Sequence, residues 1–196
     1  MFKRIFDIIF SFFILLLLLP IMFFIALIIF IVDGPPVFFL QTRVGKDGKT
    51  FKIIKFRTMR PNSDKNIQIT VGSNDNRITR TGRFLRKYKL DELPQFFNVL
   101  KGEMSVVGPR PEVPKYVEFY DERQKQVLSV KPGITDWASI AYIDENDMLK
   151  GVDDPESYYI QNIMPQKLEL NLQYIKDSDK LKDFKILWHT FLRIIR

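Results

Sequence analysis

Apolar positions crowd into the first stretch of the chain, and the polar ones thin out there almost completely. Between Met1 and Val32 only Lys3, Arg4, Asp7, Ser11 and Pro20 are not apolar, and no charge falls between Ile8 and Val32. Such a run is long enough to cross a bilayer as a helix. A cleaved signal peptide fits poorly, because the run is too long and no small-residue cleavage site follows Ile31-Val32-Asp33. Two arrangements remain, a single span and a hairpin that enters and leaves on one side. Pro20 sits near the middle, where a missing N–H and a bulky ring kink or break a helix. Each half is then ~20 Å long at 1.5 Å per residue, too short to span alone. Both flanks are basic, with Lys3 and Arg4 before the run and Arg43, Lys46, Lys49 and Lys52 after it. Positive charge on both flanks places both ends in the cytoplasm, which favours a re-entrant helix over residues 1–34 broken near Pro20.

Beyond residue 34 the pattern changes to that of a compact cytoplasmic domain, residues 35–196. Val37-Phe-Phe-Leu-Gln-Thr42 and Phe51-Lys-Ile-Ile-Lys-Phe56 read as two short strands, and Gly45, Asp47 and Gly48 between them signal a hairpin. Residues 60–80 are polar and read as a loop. Helical segments are expected from about Gly82 to Lys89, from Glu92 to Leu100, over 113–128 and over 155–176. In the last segment, 183–196, Phe184, Leu187, Trp188, Phe191 and Ile195 recur at helical spacing, ringed by Lys182, Lys185, Arg193 and Arg196. A basic amphipathic helix carrying Trp suits the membrane interface, although a terminal helix packed on the core has the same pattern. Too few strands are present for a sandwich or barrel. The expected class is α+β, mostly helical, with a short β-hairpin and amphipathic interfacial helices.

Composition narrows the chemistry. Cysteine is absent and His189 is the one histidine, which excludes thiolate sites and His-rich metal clusters and disfavours a Ser-His-Asp triad. Lys and Arg number 30 against 23 Asp and Glu, and the resulting +7 favours an anionic partner: nucleic acid, acidic lipid or a phosphorylated substrate. Neither a P-loop nor a glycine-rich dinucleotide fingerprint is present.

The segment Arg86-Lys-Tyr-Lys-Leu-Asp-Glu-Leu-Pro-Gln95 stands apart, with adjacent acids Asp91 and Glu92 just before Leu93-Pro94. Proline is tolerated only in a helix's first turn, so Asp91 is expected at or near an N-cap, and capping is one reading of it. The cations around it suggest another. Lys55 and Arg57 lie in Lys-Phe-Arg-Thr-Met59, Arg86 precedes the acids, and Arg110 is held between prolines in Gly108-Pro-Arg-Pro111. Fixed guanidinium and ammonium groups bind a diphosphate that two carboxylates would otherwise repel. A carboxylate pair beside a phosphate site is also a natural Mg²⁺ ligand set.

These residues carry a resemblance. Leu90-Asp-Glu-Leu-Pro-Gln95, Asn98-Val-Leu-Lys-Gly102, Met104-Ser105, Gly108-Pro-Arg-Pro111 and Lys131-Pro-Gly-Ile-Thr135 closely resemble the monotopic phosphoglycosyl transferases, the bacterial sugar transferases that begin glycoconjugate assembly. Lys55-Phe-Arg-Thr-Met59 and the proline-interrupted N-terminal segment match as well, so the likeness covers nearly the whole chain in order. It implies a re-entrant helix at the cytoplasmic face of the bacterial inner membrane, and transfer of a sugar-1-phosphate from a UDP-sugar to undecaprenyl phosphate with Mg²⁺. It further implies that Asp91 attacks the β-phosphorus, UMP leaves, and the phosphosugar stays on the carboxylate until the lipid phosphate displaces it. Glu92 would share in holding Mg²⁺ or in handling charge. Lys55, Arg57, Arg86, Arg110 and Pro111 become the expected substrate-binding set, Asp91 and Glu92 the expected catalytic and metal-binding pair.

The chain departs from the family pattern twice. Leu19-Pro20 stands where relatives often have Ser-Pro, and Asp136 follows Pro-Gly-Ile-Thr135 where they often have Gly. The competing readings are a membrane-tethered basic domain that binds nucleic acid or anionic lipid, and a membrane-bound phosphatase or pyrophosphatase. The first leaves the paired acids without a purpose, and no nucleic-acid-binding signature accompanies it.

Overall fold

The computed structural model describes residues 2–61, 63, 69–72, 75–177 and 181–195. Much of the polar loop expected over 60–80, and Arg196 of the expected basic rim, lie outside the described residues.

Helix α1 (Phe2–Ile28) continues into a π-helical turn at Ile29–Asp33, and together they are long and apolar enough to cross a membrane. Helical structure runs through Pro20, so the segment is not divided there into two separate helices. Proline costs one backbone hydrogen bond, but in an apolar run the remaining ones are retained because nothing else can satisfy them. The helical run ends at Gly34, whose φ of 74° and extended ψ of 178° suit a residue without a Cβ. One stripe of α1, including Asp7, Ser11, Leu15, Met22 and Ile25, is buried against the rest of the protein, and the opposite face is exposed and apolar.

Strands β1 (Phe38–Val44) and β2 (Thr50–Phe56) form the expected antiparallel hairpin, with Phe39 opposite Lys55 and Val44 opposite Thr50. Helix α2 (Arg80–Lys87) is capped by Thr79, whose hydroxyl accepts from the Gly82 N–H at 2.9 Å. Gly82 has to be glycine: a Cβ there would lie 2.1 Å from the Thr58 carbonyl oxygen. A 3₁₀ turn at Leu90–Glu92 leads into α3 (Gln95–Lys101). Strand β3 (Ser105–Val107) pairs in parallel with β4 (Gly133–Thr135), and between them lie α4 (Pro114–Val117) and a 3₁₀ stretch at Gln124–Ser129. The helix expected over 113–128 is therefore two short pieces. Short helices α5 (Trp137–Ala141), α6 (Glu145–Met148) and α7 (Pro155–Tyr158) follow, then α8 (Met164–Lys176) and α9 (Lys182–Ile195). The mostly helical α+β expectation holds.

Three apolar cores hold these elements. One joins α1 to β2 and α2 through Leu15, Met22, Ile25, Ile29, Phe56 and Leu85. A second gathers Ile53, Val99, Met104, Val106, Tyr174 and Ile186. The third is built by α4, the π-helical turn Tyr159–Ile163 that joins α7 to α8, and α8 itself, around Tyr116, Tyr159, Ile163, Leu168 and Leu172. Helix α9 answers both readings of its pattern: Ile186 is fully buried, while Phe184, Trp188 and Phe191 point outward.

Both ends of α1 are tied to the same domain. Near its start, Arg4 donates to the Val99 and Leu100 carbonyls at 2.6 and 2.9 Å, closing the last turn of α3. Asp7 accepts from the Ser105 hydroxyl and the Val106 N–H, each at 3.0 Å. At the far end, Arg57 donates to the Asp33 and Gly34 carbonyls at 2.7 and 2.6 Å, and Thr79 donates to the Asp33 carboxylate at 3.0 Å.

Candidate active site

Lys89 adopts a left-handed conformation, φ 55°, and the 3₁₀ turn that follows directs Asp91 inward. The expected capping role is not what this backbone builds. Pro94 occupies the N-cap of α3 and no side chain caps that helix. Asp91 is only 7% exposed, and its Oδ1 has no hydrogen-bond partner. An orphaned buried acceptor costs about 1–3 kcal/mol, so a structural aspartate would be expected to find a donor. Burial, and then the adjacent Glu92 charge, push the Asp91 carboxyl up from its ordinary range, while Lys55, Arg86 and Lys89 pull the other way.

Glu92 is its opposite. It accepts from Lys55 Nζ at 3.0 Å and from Arg110 Nη1 at 3.1 Å, with Nη2 of the same guanidinium on its other oxygen. Burial alone would raise its pKa, but Arg110 and Lys55 together hold it well below the usual carboxylate range. In return Glu92 raises Arg110. Lys55 is pushed down to about 8 because burial outweighs the attraction of Glu92. The adjacent acids thus have separate duties: Glu92 is a fixed, ionised counter-charge, and Asp91 is an unpaired carboxylate.

The other expected residues fall around this pair. Arg86 donates to the Thr58 and Thr70 hydroxyls at 2.8 and 3.1 Å, which aims it along the β2 exit. Arg57 is 4% exposed and spends one nitrogen on α1, while its Nε and Nη1 are unpartnered. The Pro111 carbonyl accepts from Arg43 at 3.0 Å. All seven, Lys55, Arg57, Arg86, Asp91, Glu92, Arg110 and Pro111, line one cavity of about 1670 Å³. His189 is absent from its lining and packs tilted against Trp137, with ring centroids 5.3 Å apart.

Three supporting residues carried no local signal of their role. Arg43, seen in the sequence as flanking charge, bonds the Pro111 carbonyl and Glu112, at 3.0 and 3.2 Å. Glu112 in turn accepts from the Tyr159 hydroxyl at 2.6 Å. Asp136 is fully buried; its Oδ2 accepts from the Arg110 N–H at 3.1 Å and its Oδ1 from the Ser139 N–H at 2.6 Å. The departure from glycine at this position therefore anchors the backbone of Arg110 and caps α5.

Among the described residues no group of three or more His, Asp or Glu could hold a metal ion. A buried carboxylate oxygen without a partner does suit Mg²⁺, which takes one or two protein carboxylates and leaves its other positions to water and phosphate. Asp91 fits that pattern directly. Glu92 fits it only when a phosphate competes for Arg110.

The bacterial sugar transferase family model matches residues 1–196. The chain belongs to that family. It is 39% identical over 195 residues to the UDP-glucose:undecaprenyl-phosphate glucose-1-phosphate transferase of Escherichia coli (strain K12), covering 97% of this chain but 39% of that protein. It is 36% identical over 193 residues to the uncharacterized sugar transferase EpsL of Bacillus subtilis (strain 168), covering 98% of this chain and 87% of the relative. Over 142 residues it is 42% identical to the UDP-N-acetylgalactosamine-undecaprenyl-phosphate N-acetylgalactosaminephosphotransferase of Aeromonas hydrophila, covering 70% of this chain and 34% of that protein. The chain thus spans well under half the length of two of these relatives.

Proposed function

We propose that this bacterial sugar transferase moves a sugar-1-phosphate from a UDP-sugar to undecaprenyl phosphate and releases UMP. The observation that carries the reading is the division of labour between the two acids. Glu92 is neutralised by Lys55 and Arg110, and Asp91 lies beside it, buried and unpartnered, in a large cavity.

In the first half-reaction an Asp91 carboxylate oxygen bonds to the β-phosphorus of the donor, and the bond to the bridging oxygen breaks. That oxygen leaves with UMP. In the second, an oxygen of the lipid phosphate bonds to the same phosphorus and the Asp91–phosphorus bond breaks, which regenerates the carboxylate. An anion attacking an anion needs charge neutralisation above all. Lys55, Arg86 and Arg110 supply it from fixed positions on β2, α2 and the Pro109–Pro111 turn. Mg²⁺, when bound at Asp91 with Glu92 in reserve, would neutralise further charge on the diphosphate. Covalent catalysis divides one transfer between a soluble and a lipid substrate into two steps that share one site.

The membrane reading follows the same geometry. Lys3, Arg4 and Asp7 at one end of α1, and Asp33 at the other, bond to one domain. That arrangement supports a helix which returns to the face it entered, with both ends at the cytoplasmic side of the inner membrane, and α9 lying at the interface. Cysteines placed at residue 2 and residue 46 should react only with reagent supplied from the cytoplasm. Periplasmic labelling at residue 2 would replace the re-entrant helix with a span.

The decisive assay uses the full chain in lipid nanodiscs with a panel of UDP-sugars. Multiple-turnover UMP release that requires polyprenyl phosphate is expected, with label from the sugar trapped on Asp91 when lipid is withheld. Lipid-independent release of UMP or inorganic phosphate would make the protein a pyrophosphatase or phosphatase. Release of UDP would make it a glycosyl transferase of another mechanism.

A further inference from the structure

The cavity around Asp91 has two unlike ends. One is apolar, lined by Phe10, Ile14 and Leu18 of α1 with Phe38, Phe56 and Leu93. The other runs to α5 and α8, where Ser139, Tyr142, Tyr159, Lys167 and Asn171 face it. At the second end α8 backs onto the core around Tyr159, Leu168 and Leu172, while α5 packs through Trp137 and Ile140 on the Val99–Met104 core.

Two polar atoms at the second end are orphaned. Asn171 on α8 is 5% exposed, and its Oδ1 has no partner. Ser139 on α5 has its hydroxyl shut away from water, also without a partner. Helices α5 and α8 pack together, so the two groups belong to one wall. That wall is coupled to the acids through a short chain: Ser139 N–H to Asp136, Asp136 to Arg110 N–H, and the Arg110 guanidinium to Glu92. Asn171 lies between Leu168 and Leu172 in sequence, and a leucine in its place would avoid the cost of an unpaired buried amide.

We propose that the α5–α8 wall is the subsite for the polar part of the donor beyond its diphosphate. There the Asn171 carbonyl accepts from an N–H or O–H of the donor, and the Ser139 hydroxyl bonds beside it. The donor offers that chemistry from two places, the pyrimidine N–H of the base and the hydroxyl or amide N–H of the sugar. The inference rests on the transferase reading and deepens it, dividing the cavity into a lipid end at α1 and a nucleotide-sugar end at α5–α8.

The test compares full-length wild type with Asn171→Leu and Ser139→Ala in nanodiscs. Binding of UMP and UDP-sugars is read as a rise in thermal midpoint, and turnover as UMP release. Asn171→Leu should melt at or above wild type without ligand, yet lose at least tenfold in kcat/KM for the donor. Ser139→Ala, which removes one oxygen, should lose at least threefold. A tenfold weaker response to UMP assigns Asn171 to the base. An unchanged response to UMP with altered ratios among UDP-sugars assigns it to the sugar. Wild-type kcat/KM in both variants would overturn the subsite, as would a lower ligand-free midpoint for Asn171→Leu, which marks a structural residue. If wild type binds nucleotide but releases no UMP, the transferase reading falls and the binding comparison still decides the subsite. No nucleotide binding by wild type would overturn both.

Discussion

Replacing Glu92 by Gln removes a charge from the centre of the site while keeping its shape, and the structure sets three consequences. Stability falls first. Glu92 is 13% exposed and its partners Lys55 and Arg110 are 18% and 31% exposed. Breaking a buried pair costs about 3–5 kcal/mol, and a guanidinium partly in water places this case near ~3 kcal/mol. For a chain of this size that is roughly 6–12 °C in Tm at neutral pH, at ~2–4 °C per kcal/mol. The depressed Glu92 pKa means this stabilisation is present above the ordinary carboxylate range and lost as pH falls below it. The two Tm values should therefore converge in acid.

The second and third consequences concern rate. Lys55 must be protonated to hold phosphate, and its pKa of about 8 already sets an alkaline limb there. Glu92 raises the pKa of Lys55, so losing it moves that limb down, by roughly 1–3 pH units for an opposite charge in contact. Glu92 also raises Asp91 by like-charge repulsion, so the acid limb moves down as well. The whole pH profile of donor kcat/KM shifts to lower pH. Measured from pH 4 to 10 with UMP release as the signal, an unmoved profile with an unchanged Tm would refute the counter-charge role of Glu92.

Other variants read the remaining parts. Asp91→Asn should fold with a Tm no lower than wild type, because a buried like charge is removed, and should lose at least about 10⁴-fold in turnover, about 5.4 kcal/mol; retained burst release of UMP would displace Asp91 as nucleophile. Arg110→Ala should lower turnover at least tenfold, about 1.4 kcal/mol. Because Arg110 depresses Lys55, the alkaline limb should then move up in pH, opposite to Glu92→Gln, and a downward shift would contradict the charge geometry. Asp7→Ala removes the one oxygen, Oδ1, that accepts from both the Ser105 hydroxyl and the Val106 N–H, so it should cost about 1–3 kcal/mol by thermal melting, and no loss would show that α1 is not docked there.

What the sequence disclosed follows the range of the forces involved. The β1–β2 hairpin and helices α2, α8 and α9 were legible because period and turn residues are local signals. The seven candidate residues drew notice because six are charged and cluster in motifs with Pro111, and the structure brings all of them to the lining of one cavity, while their roles rest on the proposed function. The β3–β4 pair was not, since two three-residue parallel strands are joined by a long excursion and carry no period. Capping stayed open as a second reading of Asp91 because Pro94 marks a helix start, whereas the left-handed Lys89 inserts an extra turn ahead of that helix. Pro20 read as a break because proline usually breaks helices in water. The roles of Arg43, Glu112 and Asp136 depend on partners distant in the chain, so no local pattern announced them.

Arg57 connects two parts of the molecule that are usually handled separately. Its guanidinium grips the Asp33 and Gly34 carbonyls at the end of the helical run that α1 begins, and its backbone lies two residues from Lys55 at the exit of β2. Extraction that loosens α1 from the domain would therefore drag on the Lys55 ammonium group, which the proposed mechanism sets against substrate phosphate. The specific activity of a solubilised preparation becomes a gauge of how well the hydrophobic helix remains seated. Amphiphiles chosen only for monodispersity can silence the enzyme without touching Asp91.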